Sequence, residues 1–110
     1  VRAGGRADVS DADVSDGVRV ILPSVLRELA DGQGELVVPV GGEPALLRTI
    51  LDAAVVTRPQ LGARIRDETG ALRRHVNVFV DGQDVRRLGG LDLLVGPEAV
   101  VHILPSIAGG

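Results

Sequence analysis

Pro44-Ala45-Leu46-Leu47-Arg48-Thr49-Ile50-Leu51-Asp52-Ala53-Ala54-Val55 is the most regular stretch of the chain. Leu47, Ile50, Leu51, Ala54 and Val55 recur at the spacing of one helical face. Pro44 suits a first helical position, and Pro59 limits the far end. Arg48 and Asp52 stand one turn apart on the other side, as a solvated face requires. A short helix with one apolar stripe must be covered by another layer, so its neighbours in sequence decide the architecture.

On the N-terminal side, Val18-Arg19-Val20-Ile21-Leu22 is β-branched and alternating, a strand ended by Pro23. Leu26 and Leu29 fit a helical turn before Asp31-Gly32-Gln33-Gly34. Glu35 to Val40 reads as a second strand, placed at a sheet edge by Pro39. Together these strands form a hairpin with a long connection. On the C-terminal side, residues 60–72 leave a short second helix open, carrying Leu61 and Ile65 and closed by Thr69-Gly70. Arg74 to Val80 alternates, with Val76, Val78 and Val80 on one face, and Asp81-Gly82 signals a tight turn. Gln83 to Arg86 suits a short return, and Leu91 to Val95 a brief apolar segment. Ala99 to Leu104 is the last strand, ended by Pro105. The order predicts an α+β, two-layer β-grasp domain over residues 18–110. Its sheet is mixed and four- to five-stranded, with one main helix on one face and the first and last strands parallel at the centre. Residues 1–17 read as a flexible acidic extension, with two arginines against four aspartates.

Composition narrows the chemistry. The 110 residues contain no cysteine, which removes disulfides, thiolate metal sites and cysteine nucleophiles. Phe79 is the single aromatic residue, too few to stack single-stranded nucleic acid. All twelve basic residues are arginine, so Schiff-base chemistry is excluded as well. The net charge of −3 argues against a general nucleic-acid binder. No apolar run has membrane-spanning length, and the expected compartment is the cytoplasm.

Side-chain candidates for catalysis are poor. His75 and His102 read as strand histidines, without the H-E-x-x-H or H-x-x-E-H spacing of a zinc site, and no metal site is expected. None of the serines lies in a G-x-S-x-G turn. Gly41-Gly42 and Gly89-Gly90 lack the Lys-Ser/Thr of a phosphate loop. Seven arginines fall within residues 58–87 against four acids there. With no interleaved aromatics, that excess suits an acidic protein partner better than RNA, and scattered solubilising charge better still. The remaining reactive group is the carboxylate of Gly110. It closes the segment Ser106-Ile107-Ala108-Gly109-Gly110, which spans at most roughly 17 Å when extended. Two residues without Cβ can thread a narrow channel in another protein.

The chain resembles the ubiquitin-like sulfur carriers of the MoaD/ThiS family, and within it the actinobacterial CysO type. The resemblance covers residues 18–110. It rests on Leu22-Pro23-Ser24-Val25-Leu26-Arg27 with Gly32-Gln33, and on Val76-Asn77-Val78-Phe79-Val80 with Asp84-Val85-Arg86. Gly89-Gly90-Leu91 and Val101-His102-Ile103-Leu104-Pro105-Ser106-Ile107-Ala108-Gly109-Gly110 complete it. Gly96-Pro97-Glu98 and His102 depart from the family pattern. The resemblance implies that a MoeB/MoeZ-like enzyme adenylates Gly110 with ATP and Mg²⁺. A sulfurtransferase or sulfide source then yields a thiocarboxylate. It implies a tail, 105–110, that threads into partners through Ser106, Ile107, Ala108, Gly109 and Gly110. It implies a CysM-like or other sulfur-accepting enzyme, with a JAMM-type metallopeptidase releasing product. The chain itself is expected to bind no cofactor, nucleic acid or membrane, and to serve as co-substrate rather than catalyst. The alternatives are a MoaD-like molybdopterin synthase subunit, a ThiS-like thiazole donor, a ubiquitin-like modifier, and a β-grasp interaction module.

Overall fold

The computed structural model describes residues 17–105. The expected acidic extension up to Asp16 and the tail residues Ser106–Gly110 lie outside the described residues.

The first strand, β1 (Gly17–Ile21), begins one residue earlier than the β-branched run predicts. It pairs antiparallel with β2 (Glu35–Pro39), giving the expected hairpin. Gly17 is needed at that pairing, because a Cβ there would lie 2.8 Å from both Val37 Cγ1 and the Val38 carbonyl oxygen. The long connection holds α1 (Ser24–Arg27) and a 3-10 turn, Glu28–Ala30. Asp31 and Gly32 then take positive φ (58° and 83°) to turn the chain into β2.

The main helix differs at its start from the sequence reading. Pro44 is not its first residue. Ala45–Leu46 forms β3, antiparallel to a distant two-residue strand, β6 (Leu94–Val95), and α2 runs over Leu47–Ala54. The Leu47 amide donates to the Leu93 carbonyl (2.9 Å), so backbone groups next to the helix are used by a segment far along the chain. Arg48 and Asp52 pair elsewhere, with Asp92 (2.6 Å) and Arg66 (2.7 Å). The second helix left open by the sequence is present as α3 (Pro59–Ile65), with Pro59 at its first turn. Among the described residues α2 is thus the longest helix, with the short α1 and α3 beside it.

Beyond α3, Asp67 closes a small turn by accepting from the Thr69 amide (2.9 Å), the Thr69 hydroxyl (2.6 Å) and the Ala71 amide (3.2 Å). Arg74 and His75, read as strand, instead precede β4 (Val76–Val80), because the Val76 amide bonds back to the Arg73 carbonyl in a turn. Asp81 and Gly82, at φ 50° and 88°, lead into β5 (Gln83–Asp84). The return is only two residues long, since Val85–Arg87 winds into a 3-10 turn capped by Asp84. A second such turn, Gly90–Asp92, precedes β6, and β7 (Val100–Pro105) ends the described chain.

The main sheet has the order β2-β1-β7-β4-β5. β7 lies between β1, to which it is parallel, and β4, to which it is antiparallel. The β-grasp arrangement with first and last strands parallel at the centre is therefore present. Alternate residues Val18, Val20, Val78, Val101 and Ile103 are buried on one face against Leu47, Ile50 and Leu51 of α2 and Leu61 and Ile65 of α3. Among the described residues no polar or charged residue is buried. The other sheet face carries Ile21, Val37, Phe79, Val100 and His102, half-buried, with exposed Leu104.

Candidate functional site

The site expected from the sequence lies at and beyond the end of β7. Alternation in Val100-Val101-His102-Ile103-Leu104 puts Val101 and Ile103 into the core and His102 and Leu104 on the open face. Pairing with β1 stops at Ile21↔His102, whereas β4 follows β7 to its last residue, Val76↔Pro105. A strand held from both sides and anchored by two fully buried residues is a rigid root for whatever follows. Pro105 is exposed and has no amide hydrogen, so the ladder cannot continue through it. Ser106, Ile107, Ala108, Gly109 and Gly110, the predicted reacting segment, follow it outside the described residues.

Three other parts of the chain meet at this root. Pro23 and Val25 come from the entry to α1 and its first turn, Arg64 from α3, and His75 from the approach to β4. With Leu104 and Pro105 they line a small hollow of about 90 Å³. Val25 is 67% exposed and Leu104 42%, so apolar surface faces solvent where the chain leaves the sheet. Sequence reasoning missed Pro23, Val25, Arg64 and His75 as members of one place. The signal was partial, an arginine excess over 58–87, because only the sheet order brings them together.

The remaining electrostatics are structural. Arg19 and Glu35 form a two-bond pair across β1 and β2, Nε to Oε2 and Nη2 to Oε1, both 3.0 Å. The hydrogen bond from Arg19 holds the Glu35 carboxyl below its ordinary value. The Thr69 hydroxyl, then the Thr69 amide, do the same for Asp67. Both carboxylates are half-buried and are already taken up, Glu35 by its pair with Arg19 and Asp67 by its turn. His75 lines the hollow beside Pro105, and His102 is half-buried on the open sheet face. Among the described residues no cluster of three His, Asp or Glu could hold a metal ion, and no helix is long and apolar enough to cross a membrane. What the described residues present here is a strand, β7, paired with β1 and β4 and ending at exposed Pro105.

Comparison with known proteins agrees with this geometry. The ThiS family model matches residues 20–110. Sulfur carrier protein CysO of Mycobacterium tuberculosis is 33% identical over 95 residues, spanning 84% of this chain and 98% of that protein. CysO in the crystal structure of the Amycolatopsis orientalis BexX/CysO complex superposes with a TM-score of 0.70 at 33% identity, covering 84% of this chain and 99% of the other. SAMP1 of Haloferax volcanii superposes at 0.69 with 28% identity, covering 86% and 99%. A buried-stripe helix, a central parallel strand pair and a family match across nearly all of the described domain lead to one conclusion. The chain belongs to the ThiS family of β-grasp, ubiquitin-like sulfur carriers.

Proposed function

We propose that the chain carries sulfur as a thiocarboxylate on Gly110 and donates it to a biosynthetic enzyme in the manner of CysO. The observation that supports this most is the position of β7. It is paired with β1 as far as His102 and with β4 as far as its last residue, exposed Pro105, five residues before Gly110. A carboxylate is inert toward nucleophiles. A MoeB/MoeZ-like partner first joins it to the α-phosphate of Mg-ATP, releasing pyrophosphate. Sulfide then attacks the acyl carbon, and AMP leaves with the bonding pair; where a persulfide attacks instead, a second thiol must cleave the resulting acyl disulfide and leave as the mixed disulfide. The product is a carbonyl–sulfur anion with the chain otherwise unchanged. The chain supplies reach and position, and the partner supplies the catalysis.

ATP–pyrophosphate exchange tests the first step. With a MoeZ-type enzyme present, exchange should depend on this chain and vanish when Gly110 is deleted, while the deletion leaves circular dichroism unchanged. Equal exchange with the deleted chain would remove the reading.

One neighbour supports a second use of the same tail. SAMP1 of Haloferax volcanii is a small archaeal modifier protein. In that reading the activated acyl group passes to a lysine of another protein. Isopeptide conjugates in a reaction with added lysine-bearing proteins, in place of sulfur incorporation, would favour it.

A further inference from the structure

Ten arginines lie in the described chain, and four of them, Arg19, Arg48, Arg58 and Arg66, pair with carboxylates there. Of the rest, Arg64, Arg73, Arg74 and Arg86 gather around the end of β7. Arg64 and His75 line the hollow that includes Pro105. Arg73 and Arg74 immediately precede His75. Arg86, reaching back from beyond β5, donates to the Arg73 carbonyl (3.0 Å) and to Asn77 Oδ1 (3.1 Å), and Asn77 is the register partner of Leu104. Three separate chain segments thus place exposed cations at one end of the sheet. Arg73 Nε is tied to the Ala63 carbonyl (2.6 Å), which fixes the group without neutralising it. Asp67 feels the charge of Arg73, but its carboxylate already accepts from Thr69 and Ala71. At the far end of the same strands the turn and approach residues are acidic, Asp81 and Glu98.

We propose that this cationic rim is a docking surface for an acidic protein surface bordering the recess that receives the tail. The proposal rests on the reading of Gly110 as the delivered group and names how its partner is recognised. Five residues reach roughly 17 Å, so a protein that takes Gly110 into a recess must stand against the residues around Pro105. Its lip therefore faces Arg64, Arg74 and Arg86. Guanidinium forks match carboxylates with two parallel bonds, and opposed charge steers the encounter. Val25 and Leu104 beside the arginines suit a protein lip better than a polynucleotide, which would want aromatic platforms.

The test is binding of a purified MoeZ-type adenylating enzyme, without nucleotide, to the full chain and to Arg64→Glu, Arg74→Glu and the double variant. The expected result is a loss of affinity of roughly 10-fold per reversal, mostly in the association rate and shrinking as salt is raised. Arg48→Glu, the same charge change on α2, should stay within about twofold, as an exposed ion pair allows. Circular dichroism reports that every variant is folded. Equal affinity for all four proteins overturns the proposal. So does binding of a 20-nucleotide RNA that depends on these arginines while enzyme binding does not. A wild-type chain that binds the enzyme but is never thiocarboxylated, even at saturation, overturns instead the tail chemistry, because binding is read without turnover.

Discussion

Asp81 sits at φ 50° with its amide donating to the Val100 carbonyl (2.9 Å) and its Oδ1 accepting from the Val100 amide (3.0 Å). One residue thereby makes the β4–β5 turn and fixes the start of β7. Asp81→Ala removes the side-chain bond and places a methyl-bearing residue in the left-handed region. The expected cost is about 1–2 kcal/mol, read as a shift in the urea midpoint. Asp81→Asn keeps the acceptor and should recover most of that loss. Asp67 makes a different prediction. Its folded carboxyl lies below the ordinary value because Thr69 and then Ala71 donate to it. A depressed folded value means that the stabilisation is complete above the unfolded value and drains away as pH falls through the folded one. Asp67→Asn should therefore flatten the loss of stability seen below about pH 4, measured by thermal unfolding across pH. An unaltered acid limb would show that the turn does not contribute to it.

At the scale of elements, α2 shows what periodicity can and cannot reveal. Leu47, Ile50, Leu51 and Ala54 form the buried stripe that the sequence predicts, whereas Val55, expected with them, stands half-buried just past the helix end. Ile50→Ala should cost about 2–5 kcal/mol in denaturant unfolding, since Ile50 is fully buried and the space it leaves cannot close. Val56→Ala, at a solvent-facing residue past the helix, should stay within about 0.5 kcal/mol. Equal effects at the two positions would mean that α2 does not pack as described. The helix start was not legible, because Ala45 and Leu46 are claimed by Val95 and Leu94 through long-range backbone pairing. Local pattern carries no trace of such a partner. For the same reason Arg48 and Asp52, well spaced to pair with one another, bond instead to Asp92 and Arg66. The alternation of Val76, Val78 and Val80 was fully legible, since half-burial of one strand face writes itself into every second residue. Pro39 likewise marked β2 as an edge strand.

For the whole molecule, the sheet order converts separate sequence signals into one device. β7 was legible as a strand, and its central place parallel to β1 followed from the order of elements and crossover handedness, whereas its pairing with β4 is seen only in the structure. The tail, with Gly109-Gly110 after Ile107, lies outside the described residues, and its reading rests on the sequence alone. The arginine rim was legible only as a count, since nothing local says that Arg64 lines the hollow beside Pro105 or that Arg86 reaches back to Asn77 and the Arg73 carbonyl. The proposed function stands or falls on the carboxylate of Gly110 as the atom-carrying group. Intact mass spectrometry of the full chain, after incubation with a MoeZ-type enzyme, Mg-ATP and sulfide, addresses it most directly. The account predicts exchange of one oxygen for sulfur, located to Gly110 by fragmentation and absent when Gly110 is deleted. Sulfur found on any other residue, or the same exchange in the deleted chain, would contradict it.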